Sequence, residues 1–130
     1  TMICANPDLM VERGDRLLYC GGALADKYAR MGGRALLFGK PHAPIYVQAL
    51  ATGHALLGRN PGKNEVLAIG DGIGTDVKGA NDAGIDCLFI TGGIHSAEEG
   101  PLAEATTENV ARFLADKSQK AKAFMPRLVW

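Results

Sequence analysis

The sequence predicts an α/β fold with three layers, in which helices cover a mostly parallel sheet of about four strands on both faces. Short apolar runs alternate along the chain with longer segments of helical periodicity, an order typical of parallel strands joined by crossover helices. Turns rich in glycine or proline separate these segments. The 130 residues suit a single domain, and no internal repeat or interdomain linker is visible.

The first half of the chain predicts two strands and two helices. An apolar run predicts a strand at 2–5, and the polar stretch 9–16 that follows predicts a loop. Apolar residues at helical spacing predict a helix over 23–31, which two glycines end. A second apolar run predicts a strand at 35–38. A proline suited to a first helical turn then opens a helix over 44–56.

The second half continues the alternation of strands and helices. Its predicted elements are strands at 66–69 and 87–90, a helix over 76–83, and a helix from 107 or 108 to 117. The basic stretch 117–122 predicts a solvated tail. The apolar residues 128–130 predict a short strand at the edge of the sheet.

Composition narrows the possible partners and location. The chain carries 14 basic and 14 acidic residues, so no charge excess favours a nucleic acid or an anionic membrane as partner. No apolar run approaches the roughly 18–20 residues that span a bilayer. The three cysteines, Cys4, Cys20 and Cys87, are odd in number and widely spaced. This pattern favours free thiols in a reducing compartment, so we expect a cytoplasmic protein.

The sequence VLAIGDGIGTD at 66–76 predicts a ligand site. Its apolar run stops at Gly70 and is followed by Asp71 and then, one glycine-rich turn later, by Asp76. Open α/β sheets bind ligands at the carboxyl ends of their strands, and Mg²⁺ takes one or two carboxylates together with water and phosphate oxygens. Alternatively, Asp71 stabilises the loop as an Asx turn, and Asp76 caps the helix that it begins.

Two other predicted strands also end in polar residues. Asn6 and Asp8 follow the first strand, and Lys40 follows the second. Because the carboxyl ends of parallel strands meet at one edge, we expect these residues near Asp71 and Asp76. A lysine beside a carboxylate-bound cation suits phosphoryl chemistry, where catalysis depends on positioning and charge neutralisation. The alternative for Lys40 is an ordinary solvated lysine.

Three segments in order, GKPHAPIY, GDGIGTDVKGANDAG and CLFITGG, resemble the third and fourth motifs of the haloacid dehalogenase superfamily of phosphatases. The opening CANPD is similar to class IIA members, the sugar- and nucleotide-phosphatase-like branch with a large α/β cap. The similarity covers roughly residues 3–95. It implies a Rossmann-like core of the haloacid dehalogenase type, formed by residues 17–130, with residues 1–8 corresponding to the end of the cap insert.

The resemblance also implies roles for individual residues. Lys40 would be catalytic, steadying the nucleophile and binding the substrate phosphate. Asp71 would ligate Mg²⁺. Asp76 would be the second acid of the metal site and a catalytic residue, holding a metal-bound water or Lys40. Asn6 and Asp8 would lie near the substrate, a small phosphorylated metabolite of the sugar phosphate or nucleotide type.

One departure from the family pattern is large. The family's nucleophile lies in a D-x-D motif, and this chain contains no D-x-D. The chain therefore resembles the carboxy-terminal half of a class IIA phosphatase, and alone it should form no aspartyl-phosphate. A non-catalytic module that binds a cation or a phosphate is the alternative, and an unrelated domain of response-regulator type is a third.

The same departure affects the expected sheet. The central strands of the family's sheet would be missing, and an unpaired strand edge is prone to associate with other chains. We expect the strand at 2–5 to lie beside the strand at 66–69, which would give one sheet of four strands. A homodimer or a swapped assembly that covers the vacant positions is the alternative.

Overall fold

The computed structural model describes residues 1–14, 16–93 and 105–129. Within them the chain is a mixed α/β fold with mostly parallel strands, which confirms the predicted fold class. The strands are β1 (Met2–Cys4), β2 (Met10–Arg13), β3 (Arg16–Tyr19), β4 (Ala35–Leu37), β5 (Leu67–Gly70), β6 (Asp86–Ile90) and β7 (Ala123–Met125). The α-helices are α1 (Gly21–Arg30), α2 (Ala43–Leu57), α3 (Lys78–Ala83) and α4 (Thr107–Asp116).

The strands form three separate sheets, so the prediction of one four-stranded sheet is wrong. β1 pairs in parallel with β4, β2 pairs with β3, and β5, β6 and β7 form a parallel sheet in that order. The strand at 2–5 therefore lies beside β4 rather than β5. The physical reason is local: α1 packs on both β1 and β4, which makes a βαβ unit from neighbouring segments. Within the described residues, β5 pairs only with β6.

The predicted loop at 9–16 is also wrong, because these residues contribute to an antiparallel hairpin. β2 and β3 pair with Met10 opposite Tyr19 and Arg13 opposite Arg16. Gly14 at the turn has a φ of 61°, a left-handed conformation that tight hairpin turns require and that glycine adopts without strain. The charged residues of this segment led to the prediction of a loop, although the segment contributes to two short strands.

The carboxy-terminal part also differs from the prediction, because a strand follows the segment that was predicted to be a solvated tail. Residues 117–122 lead directly into β7, and the Lys122 N–H donates to the Cys87 carbonyl at 2.8 Å. β7 adds to the free edge of β6, where Phe124 packs against the core. No strand forms at residues 128 and 129, and residue 130 lies outside the described part. The remaining elements agree with prediction to within two residues.

The core lies between one face of the β5–β6–β7 sheet and helices α3 and α4. Phe89 of β6 is fully buried and stacks on Phe113 of α4, with ring centroids 6.3 Å apart. The opposite face of the sheet carries apolar side chains that stay exposed, including Leu67 and Ile69. In the described residues, no helix has both the length and the apolar character needed to cross a bilayer.

Candidate active site

An ion pair between Lys40 and Asp76 joins two parts of the chain. Lys40 follows the end of β4 and precedes α2, whereas Asp76 lies in the turn after β5. The Lys40 ammonium donates a hydrogen bond to Oδ1 of Asp76. The Asp76 side chain is 9% exposed and that of Lys40 is 51% exposed, so the carboxylate is buried while the ammonium faces an opening. The predicted proximity of these two residues is therefore present.

The turn that carries Asp76 is π-helical and spans Ile73–Val77. The N–H of Val77 donates to the Gly72 carbonyl at 3.0 Å, five residues back. A helix beginning at Asp76, with that residue as its cap, is not observed, because α3 begins at Lys78 without a side-chain cap. Instead Oδ2 of Asp76 accepts a hydrogen bond from the Gly72 N–H at 2.9 Å, so the carboxylate binds the backbone of the glycine loop.

Two glycines let the carboxylates lie against the ends of the strands. A Cβ atom on Gly70 would overlap the Asp76 side chain, and one on Gly93 would overlap the side chain of Asp71. Asp76 therefore packs on the end of β5, and Asp71 reaches the backbone just beyond β6. Both carboxylates lie at the carboxyl edge of the sheet, as the sequence predicted.

The predicted substrate residues Asn6 and Asp8 lie in a turn just after β1. The Phe38 N–H donates to the Cys4 carbonyl at 2.9 Å, which aligns the ends of β1 and β4. Asn6 thus lies at the same sheet edge as the end of β4. Its side-chain oxygen accepts the Asp8 N–H at 3.1 Å, which is an Asx turn.

Tyr46 of α2 is a residue that sequence reasoning missed. Its hydroxyl donates to the Thr75 carbonyl in the π-helical turn at 3.5 Å. Burial in the first place, and then the charge of Asp76, raises the pKa of Tyr46 above its ordinary value of 10.0. The position of Tyr46 in the first turns of the helix that follows Lys40 could have indicated this contact. The apolar residues around it made it resemble an ordinary packing residue.

A cavity of about 190 Å³ opens beside the ion pair and is lined by Lys40, Tyr46 and Asp76, among others. Within the described residues, no group of three or more His, Cys, Asp and Glu side chains is arranged to hold a metal ion. Asp71 and Asp76 still supply two hard oxygen donors, which match the protein share of a Mg²⁺ site. Both Asp76 oxygens already accept hydrogen bonds, one from the Lys40 ammonium and one from the Gly72 N–H.

The fold and these strand ends define an α/β domain with mostly parallel strands. It presents a lysine–aspartate pair and a second carboxylate on a glycine loop, just after the carboxyl ends of β4 and β5.

Comparisons with known proteins identify the family. The HAD-hydrolase-like family model matches residues 37–117. A haloacid dehalogenase-like hydrolase from Brucella suis 1330 is 56% identical over 75% of the chain and 37% of its own length, with a TM-score of 0.63. The chain belongs to the haloacid dehalogenase-like hydrolase family, as its motifs predicted.

Other solved structures are also similar. A double mutant of a thermostable NPPase from Geobacillus stearothermophilus is 30% identical over 68% of the chain and 34% of its own length, with a TM-score of 0.57. A p-nitrophenyl phosphatase from Archaeoglobus fulgidus shares the fold, with 21% identity over 95% of the chain and 42% of its own length and a TM-score of 0.63. No curated protein sequence matches significantly. The chain thus spans only about a third of the first two solved relatives.

Proposed function

We propose that this chain supplies the lysine- and aspartate-bearing part of a Mg²⁺-dependent phosphatase. The observation that carries the proposal is the Lys40–Asp76 pair, which joins the segments that follow β4 and β5 next to the loop that bears Asp71. Membership of the haloacid dehalogenase-like hydrolase family supports the same reaction class. The reaction is hydrolysis of a phosphoric monoester.

Each residue has a separate task in this proposal. The Lys40 ammonium binds the substrate phosphate, because it is half exposed and faces the small cavity. It offsets the negative charge that spreads over the phosphoryl oxygens in the transition state. Asp76 is a positioning residue: it holds Lys40 with one oxygen and the Gly72 N–H with the other. Asn6 and Asp8 contact the substrate beyond its phosphate.

Asp71 is the proposed ligand of Mg²⁺, with Asp76 as the second acid of the metal site. When bound, the cation neutralises phosphoryl charge and orients the phosphate. The contribution of the chain is to hold the Asp71 carboxylate against the backbone beyond β6, so that it is in place before the cation arrives.

The proposed substrate is a small phosphorylated metabolite of the sugar phosphate or nucleotide type. The similar Geobacillus stearothermophilus protein is an NPPase and the Archaeoglobus fulgidus protein is a p-nitrophenyl phosphatase, and both support a phosphatase reaction. Hydrolysis through an aspartyl-phosphate needs a carboxylate nucleophile. Because the chain holds no D-x-D motif, we propose that it has no turnover alone.

The lack of a D-x-D motif also favours a second candidate, a module that binds a cation or a phosphate without catalysis.

For either function we propose that neither a nucleic acid nor a membrane is a partner, because the chain carries equal numbers of basic and acidic residues. A homodimer or a swapped assembly would cover the edge of β5, which pairs only with β6 in the described residues. A cytoplasmic location is consistent with three free cysteines.

The first test measures hydrolysis of p-nitrophenyl phosphate by the chain with Mg²⁺. We expect no turnover. Activity that survives stringent purification and is lost in Asp71→Ala would contradict the proposed inactivity.

The second test joins this chain to the part of the Brucella suis hydrolase that the match leaves uncovered. We expect Mg²⁺-dependent hydrolysis by this chimera, and loss of at least a hundredfold in kcat for Lys40→Met and for Asp71→Asn, on the order of a lost electrostatic catalytic contact. Lys27→Met and Asp116→Asn, at exposed positions in α1 and α4, are matched controls that should keep activity. A folded chimera that binds Mg²⁺ or phosphate without turnover would favour the binding module.

A further inference from the structure

A second and larger cavity, of about 400 Å³, lies between helices α2 and α3. Its volume is within the range of about 300–1,000 Å³ that small-molecule sites occupy. Tyr46 lines both this cavity and the smaller one that contains Lys40 and Asp76. The larger cavity does not contain Lys40, Asp71 or Asp76, so it is a separate site.

The walls of the cavity are mostly apolar. α2 contributes Val47 and Leu50, and α3 contributes Ala83. Gly79 of α3 lies so close to Tyr46 that a Cβ atom there would overlap the phenol ring. The ring therefore forms a fixed wall against α3, and the apolar surface beyond it suits a planar or aliphatic body.

The charged side chains that line the cavity have a net positive charge. Lys63, Lys78 and Asp82 all line the cavity, which gives a net charge of one positive unit with histidine neutral. Lys78 pairs with Asp82 at 2.6 Å, whereas among the described residues Lys63 donates to a neutral group, the Ala83 carbonyl, at 2.8 Å. The charge of Lys63 is therefore the uncompensated one among these three groups.

The start of α2 adds to this positive character. Pro41 and His42 line the cavity, and His42 is the N-cap residue but provides no side-chain cap. The first N–H groups of this 15-residue helix thus lie near the cavity and do not donate to a cap from the His42 side chain. An apolar body with one anionic group matches both the walls and the charges.

We propose that the cavity between α2 and α3 binds a small amphipathic anion, with its apolar body on Val47 and Leu50 and its anionic group near Lys63. This inference concerns binding and is independent of phosphatase turnover. It adds to the protein a ligand site that shares only Tyr46 with the proposed catalytic cavity.

The test uses 2-naphthoate as the anionic probe and 2-naphthamide as its neutral counterpart, with binding followed by ligand-observed NMR titration of the purified chain. We expect naphthoate to bind at least threefold more tightly than the amide. Changing one charge at contact distance near water should alter affinity about fivefold. Lys63→Gln should therefore weaken naphthoate binding, and Asp82→Asn should strengthen it, while neither variant changes binding of the amide.

A variant that fills the cavity tests whether the probe binds there. Val47 is 66% exposed, so Val47→Trp should fill the cavity without disturbing the core and should abolish binding of both probes. Leu56→Trp, on the same helix but outside the cavity, and Lys27→Gln on α1 are the matched controls and should bind normally. Circular dichroism checks that every variant is folded. Equal affinity for the two probes, naphthoate affinity unchanged in Asp82→Asn, or binding that survives Val47→Trp would each overturn the proposal.

Discussion

Breaking the Lys40–Asp76 pair should reveal a coupling energy larger than that of a surface ion pair. Exposed pairs contribute about 0.2–1 kcal/mol, and removing one member of a fully buried pair costs about 3–5 kcal/mol. Here the carboxylate is 9% exposed and the ammonium 51% exposed. We therefore expect a coupling energy of about 1–2 kcal/mol in the free energy of unfolding.

The measurement is a double-mutant cycle with Lys40→Met and Asp76→Asn, followed by urea unfolding with circular dichroism. Asparagine keeps an oxygen for the buried Gly72 N–H, so Asp76→Ala should cost about 1–3 kcal/mol more than Asp76→Asn. The exposed pair Lys78–Asp82 on α3, joined at 2.6 Å, is the matched control, with an expected coupling of about 0.3–0.5 kcal/mol. A coupling at Lys40–Asp76 no greater than the control would refute the reasoning.

Three further outcomes are expected. Phe89→Ala, which removes a fully buried ring and its stack on Phe113, should lower the free energy of unfolding by about 3–5 kcal/mol in urea titrations, whereas Leu56→Ala at an exposed position should change it by less than about 1 kcal/mol. Burial raises the pKa of Cys87 to about 11 from its ordinary value of 9.0. The unfolded chain therefore loses this proton first, and the free energy of unfolding should fall as the pH rises from 9 to 11, a slope that Cys87→Ala should reduce. In thiol titration with a disulfide reagent at pH 8, the partly exposed Cys20 should react first, and similar rates for all three thiols would contradict the burial of Cys4 and Cys87.

The sequence predicted which polar residues lie near strand ends better than it predicted how the strands pair. Lys40 and Asp71 each follow an apolar run that a glycine ends, and Asp76 comes one turn after Asp71. This local pattern marks strand ends without knowledge of the neighbouring strands. Which strands pair depends on how the helices between them pack, and no pattern within a strand shows this. β1 had two possible partners, and the packing of α1 on β4 decided between them.

Other misses have local causes. The hairpin of β2 and β3 alternates apolar residues with charges only weakly, so the charges suggested a loop. β7 is three residues long, with Phe124 as its aromatic core contact, and too short for periodicity to indicate. The role of Tyr46 depends on its contact with Gly79, on a helix more than thirty positions later, which no pattern within α2 could reveal.

The π-helical turn at Ile73–Val77 makes the direction of the Asp76 carboxylate depend on chain length. A π-helical turn holds one residue more than an α-helical turn, and each residue of an α-helix advances by about 100° around the axis. Deleting Gly74 would let the segment relax into a regular helix that keeps every charged residue. The carboxylate would then rotate by about 100° away from Lys40. The single extra residue in this turn thus acts as a spacer that sets where the acid points, and its loss would disable the pair while composition, charge and helix content stayed almost the same.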